Sequence, residues 1–489
     1  MSTPEWVKDA VFYQIFPDRF AKSSRNPAAT LPFEPWDSAP TTHGFKGGDL
    51  YGVLEKLDYI QELGCTAIYL NPIFASASNH RYHTFDYYNV DPLLGGNEAL
   101  KKLLKEMHKR GMRLILDGVF NHASRGFWQF NHVLETGEAS PYRDWFYFDE
   151  ERLKGHKNWG AYPTVHEQRA LNHEDSLTAI GYRAWWNLPA LPKFNTDTPA
   201  VREFLFDVAE YWIKFGIDGW RLDVPGEIND DEFWREFRRR VRAINPDAYI
   251  VGEIWHEAQR WLQGDQFDAV MNYLVTTTSM NFFAANSLDM SVIQHAGGLK
   301  DRVRPINAHD CANELDRILN LYPSDITYAQ LNLLDSHDMP RFLSCVNEDK
   351  TALKLAWLFM FTIPGAPCIY YGDEVGVNGK HDPECRKSFP WDEGRWDHDL
   401  LDYAKACTTL RTEHAALRRG DYKRIHAEGE LLAYSRSYRN ETLITAFNTS
   451  NEDKPLELPL DKKPHVLFGK PVISENQVTI PARSGVVLK

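Results

Sequence analysis

The sequence predicts an α/β protein: a (β/α)8 TIM barrel with a small domain inserted after its third strand and a C-terminal antiparallel β-sandwich. Three observations predict it. A unit recurs in which an amphipathic helical segment, a glycine and a short apolar strand follow one another, and polar residues gather where those strands end. Beyond residue 415 the pattern changes to alternation with Asn, Gly and Pro turns. Repeated βα units imply a parallel sheet, and eight of them argue for closure rather than an open sheet.

The elements follow in order. "AVFYQIF" near the start reads as the first strand, and "DLYGVLEKLDYIQELG" as a helix leading into the strand "CTAIYLNP". "NEALKKLLKEMHKRG" leads into "MRLILDGVFNH" in the same way. In "DTPAVREFLFDVAEYWIKFG", Val201, Phe204, Leu205, Val208, Trp212 and Phe215 keep helical spacing, Thr198 can cap, Pro199 suits the first turn and Gly216 can terminate. "IDGWRLDV", "AYIVGEI", "FDAVMNY", "AQLNLLD" and "APCIYYGDE" supply the remaining strands. About 75 residues separate His122 from Thr198, too many for an ordinary loop, so they form the inserted domain. The expected division is a barrel over 1–122 and 196–415, an insert over 123–195 and a sandwich over 416–489, with tail strands such as "LLAYSRSY" and "TLITAFNTS".

Composition narrows the function. Hydrophobic residues at 43% and charged residues at 25% are those of a folded globular chain. A formal charge of −13 argues against nucleic acid, whose affinity comes from basic side chains, and favours a neutral ligand. Aromatics at 13% supply flat rings of the kind that stack on sugar faces or fill a core. The six scattered cysteines, the absence of a leader pattern and the absence of a long apolar run predict a cytoplasmic protein with reduced thiols and no membrane span.

Three acids end predicted strands: Asp223 in "RLDV", Glu253 in "GEIW" and Asp338 in "LLDSHDMPR". A single such Asp reads as a salt bridge or cap. Three of them, escorted by Arg221, His122 and His337 at strand ends of one barrel, read as a site, because buried charges are costly without function or pairing. Glycosidic-bond hydrolysis needs a protonated carboxyl acid and a second, ionised carboxylate. Arg221 lies two residues before Asp223, on the same side of the strand, and is expected to keep it ionised.

The segments "GFKGGDL", "DGVFNH", "LPKFN", "GWRLDVPGE", "GEIW", "LLDSHDMPR" and "GAPCIYYGDEVG" resemble, in order, the signature regions of the α-amylase superfamily, glycoside hydrolase family 13. "LPKFN" is most similar to the cyclomaltodextrinase, maltogenic amylase and neopullulanase branch. The resemblance implies Asp223 as nucleophile, Glu253 as general acid/base and Asp338 as transition-state stabiliser. It also implies that Arg221 supports the nucleophile, that His122 and His337 bind the glucose whose bond is broken, and that Tyr82 stacks beneath it. A retaining mechanism would place the Asp223 and Glu253 carboxylates about 5–5.5 Å apart.

Departures from the branch concern substrate preference. His83 follows Tyr82 where the branch commonly has Asp, and "VPGE" replaces its usual "VANE", although Glu227 is retained. Pro225 and Gly226 are expected to reshape the acceptor side. The first strand begins near residue 10, leaving no room for the branch's extra N-terminal domain, which implies a more open site. Trp255 and His256 either line the acceptor side or pack. Asp382 and Arg386 either grip a more distant sugar or form a surface ion pair. Asn121 and Asp117 match positions associated with calcium in many α-amylases, but no metal or organic cofactor is required by any spacing in the chain. The expected partner is an α-glucan oligosaccharide or polysaccharide, handled by a monomer or homodimer. The expected activity is cleavage of α-1,4 bonds, α-1,6 bonds or both. A glucan transferase or isomerase is the alternative within enzymes, and a non-catalytic carbohydrate-binding relative the alternative outside them.

Overall fold

The computed structural model describes residues 3–155, 160–458, 463–474 and 477–489. Eight strands form one parallel sheet: β1 (Phe12–Ile15), β2 (Ala67–Leu70), β3 (Arg113–Gly118), β4 (Gly219–Leu222), β5 (Tyr249–Gly252), β6 (Ala269–Val270), β7 (Leu331–Leu333) and β8 (Ala366–Tyr370). They pair in the order β6-β5-β4-β3-β2-β1-β8-β7, and a parallel bridge from Met271 to Leu331 joins the two ends. The sheet is therefore a closed barrel. All eight predicted strands are present, and their residues are almost all buried, as expected where helices cover the outside and side chains fill the inside.

The helical readings hold with two adjustments. In α1 (Gly96–Lys109) the buried residues Ala99, Leu100, Leu103, Leu104 and Met107 make one stripe at helical spacing. The helix expected in "DLYGVLEKLDYIQELG" is broken at Lys56, whose amide reaches back only three residues to Val53. In α2 (Pro199–Phe215) Pro199 opens the first turn and Gly216, at φ 121°, closes the last. Thr198 occupies the N-cap position but does not cap: its hydroxyl donates instead to the Asp144 carbonyl at 2.5 Å, tying the segment after β3 to the start of α2.

Between β3 and α2 the chain forms short helices around an aromatic cluster in which Phe130 packs on Phe148 and Tyr182, and Phe146 stacks on Phe194. At the C-terminal end, a five-stranded and a three-stranded antiparallel sheet share a core of Leu431, Ile444, Leu456, Val478, Ile480 and Leu488. The other face of the larger sheet, with Tyr434 and Phe447, joins the barrel's own core. Among the described residues no helix is long and apolar enough to cross a membrane. All six cysteines are buried and unpaired.

Candidate active site

The site is built on one buried cation. Arg221, on β4, is fully buried, and its position two residues before Asp223 sends both side chains to the same side of the strand. Its Nη1 lies 2.8 Å from Asp117 Oδ1 and 3.0 Å from Asp223 Oδ1. Its Nη2 lies 3.0 Å from Glu253 Oε2 and 3.9 Å from Asp338 Oδ2. These four carboxylates sit at or just beyond the C-terminal ends of the adjacent strands β3, β4 and β5 and of β7, which closure brings to the far side of β6 from β5. The three acids read from the sequence are thus brought together, with Asp117 as a fourth.

Four carboxylates around one guanidinium cannot all ionise at low cost. Burial, and next the Glu253 charge, lift Asp223 well above the usual carboxylate range against the pull of Arg221. Arg221, expected to keep Asp223 ionised, acts in that direction and is opposed by the desolvation. Burial, then Glu253, also push Asp338 up to about 7, and burial raises Asp117. The set shares its protons, so protonation belongs to the cluster rather than to one residue. The two histidines go the other way. Burial brings His122 down to about 3 and, with Arg386 and Arg221, holds His337 well below its ordinary value. Both are neutral at pH 7, each with one N–H donor and one acceptor nitrogen suited to neutral hydroxyls.

His337 is held by Gln14 (3.0 Å) and Asn71 (3.1 Å) at Nδ1, and by the Tyr82 hydroxyl (2.5 Å) and Asp338 (3.0 Å) at Nε2. Tyr82 lies with its ring plane 5° from that of His337 and donates to Asp117 at 2.8 Å, beside Tyr69 at 2.9 Å. Asp223 Oδ2 and His122 Nε2 are among the buried polar atoms at the site that have no hydrogen-bond partner. They have bonding capacity to spare for a ligand.

The remaining predicted residues divide. Trp255 stacks on Tyr273 at 3.8 Å and donates from Nε1 to Glu253 Oε1 at 3.0 Å, so it orients the acid. His256 is exposed and its Nδ1 lies 2.8 Å from the Glu257 carbonyl. Asp382 and Arg386 do pair, at 3.1 Å, but Arg386 is not at the surface. It is buried, donates to the His337 carbonyl at 2.9 Å and lies 3.5 Å from Asp338, so it braces the site itself. His83 is buried enough to fall to about 4 and meets His80 edge-on. Pro225 and Gly226 lie in a 3-10 turn, Pro225–Glu227, preceded by Val224 at φ 35°. A β-branched residue in the left-handed region is strained, and here the strain aims the Val224 amide at Glu253 Oε2, 3.0 Å away.

The side-chain oxygens of Asp117 and Asn121 have protein partners. The Asp117 oxygens accept from Arg221, Tyr69 and Tyr82, and Asn121 Oδ1 accepts from the Lys193 ammonium at 2.8 Å. Lys193 also donates to the Glu227 carbonyl at 2.9 Å and stands 3.7 Å from the Glu227 carboxylate. A fixed ammonium therefore joins the end of β3, the segment before α2 and the turn after β4. Among the described residues no group of three His, Cys, Asp or Glu side chains has metal-binding geometry. Sequence reading missed Gln14, Asn71, Tyr69 and the strained Val224. Their signal was present only as polar residues within or just after strands.

A closed parallel barrel with clustered carboxylates at the strand C-termini defines a class of α/β-barrel enzyme, and family comparison narrows it. The α-amylase catalytic-domain model matches residues 14–419, and the chain belongs to that family. A cyclomaltodextrinase from Geobacillus thermopakistaniensis is 44% identical over 94% of this chain and 72% of its own length, and neopullulanase 2 from Thermoactinomyces vulgaris is 42% identical with the same coverage. The crystal structure of a debranching enzyme from Nostoc punctiforme superposes with a TM-score of 0.88 at 44% identity, covering 100% of this chain and 99% of that one.

Proposed function

We propose that the protein is a retaining α-glucan hydrolase in which Asp223 attacks the anomeric carbon and Glu253 protonates the glycosidic oxygen. The observation that carries this reading is the single buried guanidinium of Arg221 shared by Asp223, Glu253 and Asp338. In the productive form the cluster's proton resides on Glu253 while Asp223 is ionised against Arg221 Nη1. Departure of the leaving sugar as an alcohol leaves Glu253 ionised and a covalent β-glycosyl ester on Asp223. Glu253 then takes a proton from water, whose oxygen displaces Asp223 and restores the α configuration. Asp338 and the neutral His122 and His337 accept and donate hydrogen bonds to the ring hydroxyls, and Tyr82 forms the floor.

The relatives' names include cyclomaltodextrinase, neopullulanase and debranching enzyme, so the substrates proposed are maltooligosaccharides, cyclodextrins, pullulan and branched dextrins. Cleavage of α-1,6 as well as α-1,4 bonds is favoured by the end-to-end match to the debranching enzyme. The test is digestion of linear, cyclic, α-1,6-linked and branched glucans with products followed by chromatography and fresh-product proton NMR. The α anomer is expected first. Release of the β anomer overturns the retaining mechanism, and an intact pullulan and branched cyclodextrin beside cleaved maltodextrin overturns the α-1,6 assignment.

A further inference from the structure

Two tryptophans next to the site are used by nothing described so far. Trp185 stacks on His122 at 5.0 Å and 12°, and Trp186 stacks on Trp185 at 4.4 Å and 13°. The stack begins at a fully buried histidine and ends at an indole that is 76% exposed. One face of Trp186 is thus covered by its neighbour and the other is free. An exposed indole is unusual enough to need a reason, and the backbone adds a second observation. Trp186 at φ 52° and Asn187 at φ 56° are consecutive non-glycine residues in the left-handed region. Such conformations persist only when the surroundings enforce them. Asn187 supplies that enforcement, accepting from the Ser176 amide at 3.0 Å and donating to the Glu174 carbonyl at 3.1 Å. Strain is therefore maintained to hold a large apolar ring in water rather than in the core.

We propose that Trp186 is a sugar-stacking platform at the rim of the cleft, binding a glucosyl unit of the α-glucan chain beyond the one cleaved. The proposal rests on the α-glucan reading of the site and deepens it. The apolar face of a pyranose matches a flat indole, while its equatorial hydroxyls remain in solvent, so the contact suits a neutral chain with many repeated rings. Anchoring His122 at the base of the stack fixes the platform relative to the carboxylates. Because the contact is made equally in ground and transition states, it acts on KM rather than on kcat.

The test compares Trp186→Ala and Trp186→Phe with the parent enzyme on maltotriose through maltoheptaose. Expected is a KM for maltoheptaose raised about 3–10-fold in the alanine variant, with kcat retained, a smaller rise in the phenylalanine variant, and a penalty that grows with chain length. In parallel, maltoheptaose titration of Glu253→Gln should quench tryptophan fluorescence, and the Glu253→Gln/Trp186→Phe double variant should lose that part of the quench. Unchanged KM across the series together with an unchanged quench overturns the proposal. So does a change in sedimentation coefficient without a KM effect, which would place the ring against a second copy of the chain. If the parent cleaves no α-glucan while maltoheptaose still quenches through Trp186, the hydrolase reading fails and the platform stands.

Discussion

At the scale of residues, Arg221 is a cation that Asp117, Asp223, Glu253 and Asp338 have in common, so each acid's protonation depends on the others. The assigned roles give distinct outcomes. Glu253→Gln keeps the shape and loses the proton, so kcat should fall about 10²–10⁴-fold while sugar binding is largely kept. Asp223→Asn should abolish the covalent intermediate, which mass spectrometry with a slow fluorinated substrate would detect only in the parent. Near-normal turnover in either variant removes the assignment. Asp338 gives a stability prediction. Its native value of about 7 lies above the unfolded value near 4, so between those pH values the native state binds more protons than the unfolded state. The stability contributed by Asp338 is present below about pH 4 and is lost as pH rises through 7. Asp338→Asn removes that dependence, and its melting temperature relative to the parent should rise from pH 5 to pH 8. A difference that is flat or falls over this range contradicts the burial argument.

At the scale of elements, the site depends on how closely β4 and β5 approach. Gly219 sits opposite Tyr249 in the β4–β5 pairing, and a Cβ added there would lie 2.1 Å from the Tyr249 carbonyl oxygen. Backbone cannot yield as a flexible side chain does. Gly219→Ala should therefore spread the two strands that carry Asp223 and Glu253, costing about 1–3 kcal/mol of stability or more and lowering kcat as well. Denaturant unfolding with parallel kinetics checks this, and a parent-like midpoint would show that the pairing tolerates the methyl group. The strand periodicity and the positions of the three acids were legible in the sequence because strand ends follow directly from apolar runs. The roles of Trp255, Arg386 and Lys193 were not, because each depends on a partner from a different loop. Thr198 shows the same limit: its position was readable, but the acceptor it chose, Asp144, was not.

At the scale of the whole molecule, buried arginines that bond carbonyls rather than acids tie the C-terminal sheet, and the short helix leading into it, to the barrel. Arg436 donates to the Gly420 and Thr362 carbonyls, and Arg411 to those of Phe361, Leu417 and Gly365. Burial brings both below the ordinary arginine value, to about 10 and about 9. Arg436→Met should leave carbonyls without donors, at about 1–3 kcal/mol each, and lower the melting temperature in calorimetry. A variant that melts like its parent would show that packing of Tyr434 and Phe447 suffices. The sequence by itself determined the alternation of helices and strands and the strand ends where Asp223, Glu253 and Asp338 stand, because periodicity and residue type are local properties. Only the tertiary structure decided that Asp117 is a fourth acid on Arg221, that Lys193 occupies the Asn121 oxygen and that Trp255 orients Glu253. Those are contacts between residues distant in the chain, and closure of the barrel is what brings them within bonding distance.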